Sequence, residues 1–178
     1  MVALSGAVIN TVSFPGVVVH ELAHYLACRL VGVAVYEVCY FRFGSPSGYV
    51  THEPTSKWLH TVVVSTAPLV LNTVVGAVVA FPSILRVFDF TGAASTVDRI
   101  LVWFGVSVAM HAIPSRADAG LIWQSVQGAQ ASWAAKLVAA PIVGLIHVLA
   151  LASMVWFDVV YGILVSLAVP KLLVALLA

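Results

Sequence analysis

Two histidines and a glutamate stand together at His20-Glu21-Leu22-Ala23-His24, an H-E-x-x-H arrangement. On a helix, residues four apart point the same way and lie about 6 Å apart along the axis. Two imidazole nitrogens so placed can converge on one zinc ion at about 2.0–2.1 Å. Glu21 is turned about 100° from His20, so it stays beside the ion without binding it. There it can act as general base towards water, whose pKa zinc brings down to about 7. The chemistry written in this spacing is hydrolysis, with one Zn2+ per chain. The motif sits inside an apolar run, Val17 to Leu30, that reads as a membrane span. Ionisable groups there cost about 2.5–3.5 kcal/mol each unless they serve a site. The plain alternative is two histidines satisfied within a bundle beside an unrelated glutamate.

A catalytic zinc takes three protein ligands and keeps one open position. The candidates for the third are Asp118, His111, Glu53, His52, His60, His147 and Asp158. His20 and His24 lie about 10–17 Å short of the end of their span at Val31. Asp118 follows the third apolar stretch, on the same side of the membrane, and Pro114 breaks the helix before it. That selects Asp118 as ligand, with capping of a helix that starts near Ala119 as its ordinary alternative. His111, seven residues earlier, reads as donor to an oxyanion, as the third ligand itself, or as a bundle histidine. Asn72, an amide in mid-span, reads as holder of substrate backbone, as orienter of a ligand, or as a helix–helix contact. His147 and Asp158 read as structural contacts. His52, Glu53 and His60 read as interfacial residues. Cys28 shares the histidine face but lies about 12 Å from His20 along the axis, too far to join both histidines. With Cys39 it makes two cysteines, too few for a disulfide framework.

The elements that must position these groups follow from composition. The 178 residues are 62% hydrophobic and 8% charged, with mean hydropathy +1.08. A soluble domain carries about 25% charged residues. The chain therefore reads as an all-α polytopic membrane protein in the lipid bilayer, multi-pass, in the cell membrane. Its scattered basic residues and net charge of +1 exclude nucleic acid as a partner. The sequence sets no oligomeric state. The N-terminus lacks a basic leader region, so residues 1–19 read as the start of a retained span.

About five spans are expected within one domain, 1–178, with the catalytic core at about 4–126 and additional spans at about 134–178. The first runs Leu4 to Val31, kinked or opened by Pro15 and Gly16. The second runs Trp58 to Phe81 and stops at Pro82, followed by a loop over Ser83 to Thr96. Ser95 or Thr96 caps the third, Val97 to Ile113, with Asp98 in its first turn. Leu121 to Val126 resumes a helix. Ala134 to Ala178 is too long for one span and divides near Asp158 and Gly162. After the first span, Val33 to Phe43 is β-branched and aromatic, Gly44 to Gly48 is a turn signal, and Tyr49 to Thr51 reads as the return strand. This small β-hairpin belongs at the interface or against protein, because an open strand edge cannot face lipid. With five spans, Arg29, Arg42, Lys57, Arg116, Lys136 and Lys171 share one side, against Arg86 and Arg99 on the other. The positive-inside rule makes the first side, with the site, cytoplasmic.

These residues resemble the site-2 protease family of intramembrane zinc metalloproteases. The family joins H-E-x-x-H in one membrane helix to N-x-x-P-x-x-x-x-D-G in a later one, whose aspartate is the third ligand. The corresponding stretch is His111-Ala112-Ile113-Pro114-Ser115-Arg116-Ala117-Asp118-Ala119-Gly120. It has histidine for asparagine, one residue fewer between proline and aspartate, and Ala119 before the glycine. Ala67-Pro68-Leu69-Val70-Leu71-Asn72 is similar to the family's G-P-x-x-N with a one-residue displacement. The resemblance covers about Val17 to Gly120. It implies a three-helix catalytic core in a minimal or divergent member that cleaves transmembrane protein or peptide substrates near the cytoplasmic side. It also implies that the hairpin offers an edge strand to unwound substrate. The rival readings are a zinc-binding scaffold without proteolysis, a small metal transporter, and a prenyl-protein protease.

Overall fold

The structure, a computed structural model, describes residues 2–55, 57–88, 94–127 and 132–177. Pro15 decides how the chain begins. It withholds an N–H and its ring crowds the preceding turn, so no single helix runs from the N-terminus to Val31. Helix α1 (Val2–Val12) meets α2 (Phe14–Val31) at 87°. The expected kink in the first span is thus a right-angled break at Ser13. A hydroxyl from far along the chain makes it tenable. Ser107 Oγ accepts the Gly16 N–H (3.3 Å) and donates to Ser13 O (2.9 Å). Helix α2 ends at Gly32, whose left-handed φ of 72° turns the chain towards the hairpin.

Strands β1 (Val35–Cys39) and β2 (Tyr49–His52) pair antiparallel, with a register irregularity between Val35 and Glu37. The hairpin forms where the β-branched and aromatic run lies. Its turn packs against α1 and α2 through an Asn10 Nδ2 bond to Ser47 Oγ (2.8 Å) and the approach of Gly48 to Glu21.

Helix α3 (Trp58–Phe88) is the spine of the fold and packs against α2, α4, α5 and α7. It runs on through Pro82, where the sequence suggests an end. Neither Pro68 nor Pro82 breaks it, because a packed helix tolerates proline where other groups take up the freed carbonyl. Its faces are sorted against the rule for water. Thr61, Ser65, Asn72 and Ser83 are buried, while Val70, Val74 and Val78 are 54–66% exposed. Polar inside and valine outside is the sorting that hydrocarbon favours.

Helix α4 (Thr96–Met110) opens on the expected cap. Ser95 and Asp98 form a reciprocal capping box, and Asp98 also takes an ion pair from Arg86 that ties it to α3. Gly76 and Gly105 let α3 and α4 cross at backbone distance. A Cβ on Gly105 would stand 2.6 Å from Gly76 O. Pro114 leaves Met110 O without its helical donor, and α4 stops at Met110. Helix α5 (Arg116–Gln127) starts earlier than the sequence suggests. Helix α6 (Trp133–Ala152) packs on α5, and α7 (Phe157–Leu177) packs on α3 and α4. The α6–α7 break falls at a 3₁₀ turn, Ser153–Val155, and at Trp156 with φ 67°, just before Asp158, as expected. Gly162 instead admits α4 at Met110.

Among the described residues, two helices are long and apolar enough to cross a membrane, Trp58–Ile84 and Trp133–Val155. The bent α1–α2 pair makes a third if counted as one span. The described helices thus supply two or three of the five expected spans. At 15 residues, α4 is about 22 Å long, against about 30 Å of hydrocarbon.

Candidate metal centre

His20 and His24 lie on successive turns of α2, as the helical repeat requires. Asp118 reaches them from the first turn of α5. Ligand atoms of the three all lie within 4.8 Å of one another. His20 Nε2 and His24 Nε2 are 3.2 Å apart, and His24 Nε2 is 3.6 Å from Asp118 Oδ1. Ligand atoms of a tetrahedral zinc stand about 3.3 Å apart, from bonds of about 2.0–2.1 Å. The spacing fits one ion.

Hydrogen bonding explains why the ring nitrogens face inwards bare. His20 Nδ1–H donates to His111 O (2.6 Å) and His24 Nδ1–H donates to Val64 O (2.9 Å). A carbonyl only accepts, so each Nδ1 carries a proton and each Nε2 is turned towards the cluster.

Asp118 is held by the first turn of its own helix. Its Oδ2 accepts from Ser115 N (2.8 Å) and Ser115 Oγ (2.6 Å), while Asp118 N–H donates to Ser115 Oγ (3.2 Å). This is a second capping box, with Ser115 at the cap and Asp118 three residues on. Asp118 is therefore not itself the cap residue of a helix near Ala119. Oδ1 is left facing His24. The Ser95–Asp98 box is the internal comparison. There the second carboxylate oxygen holds the Arg86 guanidinium. At Asp118 the corresponding place faces the imidazoles of His24 and His20.

Glu21 is buried and lines the same cleft, of about 920 Å³, with His20, His24 and Asp118. Residues 44–48 of the hairpin turn form one wall. A Cβ on Gly48 would come within 2.7 Å of Glu21 Cγ, so only glycine lets the turn lie over this carboxylate. Tyr49, also in the wall, donates its hydroxyl to Glu37 Oε1 (2.6 Å). That bond and the carboxylate's charge hold the phenolic proton and push the pKa of Tyr49 up.

The other expected site residues fall differently. His111 lines the cleft but is outside the three-residue cluster. Its Nδ1–H donates to Ser107 O (2.9 Å), and its Nε2 faces Asn10 Oδ1 at 3.4 Å. Its contribution is its carbonyl, on His20. Asn72 is fully buried and is not among the residues lining the cleft. Its Nδ2 donates to Gly16 O, Val108 O and His111 O at 3.2–3.3 Å. The amide joins α2 to the end of α4, the helix–helix contact among its expected roles. His52 and Asp158 line the cleft outside the cluster. His147 bonds Val143 O in its own helix. Asn10, Ser115 and Gly48 were not singled out from sequence. Ser115-x-x-Asp118 was readable as a capping box, and Asn10 as a polar residue in an apolar span. Nothing local marks Gly48.

No family model, no curated protein and no solved structure matches the chain.

Proposed function

We propose that this protein is an intramembrane zinc metalloendopeptidase of the site-2 protease type, hydrolysing peptide bonds in or near transmembrane segments of membrane-protein substrates. The observation that carries the proposal is the convergence of His20 Nε2, His24 Nε2 and Asp118 Oδ1 beside buried Glu21. The inverted sorting of α3 supports a membrane location.

His20, His24 and Asp118 hold the zinc. When bound, zinc supplies Lewis acidity, polarising a peptide carbonyl and making water acidic enough to attack near neutral pH. Glu21 takes the proton from the attacking water at its carboxylate and returns it to the departing amine. The carbonyls of Val64 and His111 keep the ligand rings in register. The cleft of about 920 Å³, walled by the turn at residues 44–48, by Asn10 and by Ser115, has room for a peptide segment and water beside these residues.

Reconstituted in liposomes, the protein is expected to cleave a panel of single-span substrates. Chelation should stop cleavage and added Zn2+ should restore it. Zinc retained without cleavage of any substrate favours a scaffold. Zinc flux across the liposome wall favours a transporter.

A further inference from the structure

The metal reading above, on which this inference rests, needs both rings to carry their proton on Nδ1. The acceptors that impose this are main-chain carbonyls of Val64 and His111. Within a regular helix such a carbonyl is already taken, because Val64 O would receive the N–H of residue 68. Residue 68 is proline, fully buried inside α3, and it has no N–H to give. The Val64 carbonyl therefore loses its helical donor one turn before the site and accepts from His24 on the neighbouring helix (2.9 Å).

His111 O is released by the same means at the end of α4. Pro114, three residues on, has no N–H, and the N–H of Ser115, four residues on, is drawn to Asp118 Oδ2. His20 and Asn72 take the place of those donors.

We propose that Pro68 is a positioning residue for the metal centre: by withholding a main-chain N–H it leaves the Val64 carbonyl to His24 and so holds His24 Nε2 towards the ion. An alanine at position 68 would restore the helical donor. It would pull the carbonyl along the helix axis and share it between two N–H groups, loosening the His24 ring. Pro82 is the control within the same helix. It frees the carbonyl of Val78, a residue 66% exposed on the outer face, away from the histidines.

The experiment compares wild type, Pro68→Ala and Pro82→Ala, purified in detergent. Zinc affinity is read by competition with a chromophoric chelator, and the thermal midpoint is read with the metal removed. Partners of ligand histidines are worth about 10–100-fold in metal affinity. Pro68→Ala is expected to lose that much, with a metal-free midpoint equal to or above wild type. Pro82→Ala should bind zinc as wild type does. Equal affinity in Pro68→Ala overturns the proposal. So does an equal loss in Pro82→Ala, or a loss in Pro68→Ala that tracks a fallen midpoint. Wild-type protein that binds no zinc removes the metal reading itself, a separate result from equal binding by wild type and variant.

Discussion

Glu21→Gln is expected to lower the cleavage rate by about 10²–10⁴-fold, the range that general acid–base catalysis contributes, while zinc content stays at one per chain. The substitution keeps size and hydrogen-bonding reach but removes the capacity to accept a proton. Glu21 is outside the ligand cluster, so the metal should remain. The turn residue Gly48 lies against the Glu21 side chain, which an amide fills equally well. Loss of zinc in the variant would make Glu21 a ligand or a structural prop instead. Undiminished cleavage would remove it from the mechanism.

Asp118→Ala has the largest expected effect on metal binding, a fall of at least about 100-fold in zinc affinity, since a ligand outweighs the partners that orient it. The carboxylate also caps α5, so the variant loses a second contribution of about 1 kcal/mol. Ser115→Ala separates the two. It removes the hydroxyl that bonds Asp118 Oδ2 and leaves Oδ1 on the ion side. Its zinc affinity should fall on the order of tenfold. Zinc bound as tightly by Asp118→Ala as by wild type would strike Asp118 from the ligand set.

The parts of the site legible in sequence were those governed by a local repeat. A four-residue separation on a helix brings His20 and His24 together whatever surrounds them. The expected order of spans and the break at Pro114 singled out Asp118, which the fold brings beside His20 and His24 across 94 residues. The capping of α4 by Ser95 and Asp98 was equally local. The breaker rule went wrong at Pro82, where packing carries α3 onwards. It understated Pro15, because the right angle depends on Ser107, a hydroxyl supplied from α4. The α6–α7 break at Ser153–Val155 contains neither proline nor glycine, and only the length of the run and Asp158 just beyond it pointed there. Asn72 stood out as polar in an apolar run, but which carbonyls it would clamp depends on helix crossings that no window of sequence contains.

X-ray absorption at the zinc edge of purified wild-type protein tests the metal centre most directly. The expected spectrum is one zinc with two imidazole nitrogens and a carboxylate oxygen at about 2.0–2.2 Å, and loss of one light-atom ligand or of the metal in Asp118→Ala. Protein that takes up no zinc, or a shell containing sulfur at about 2.3 Å, would contradict it.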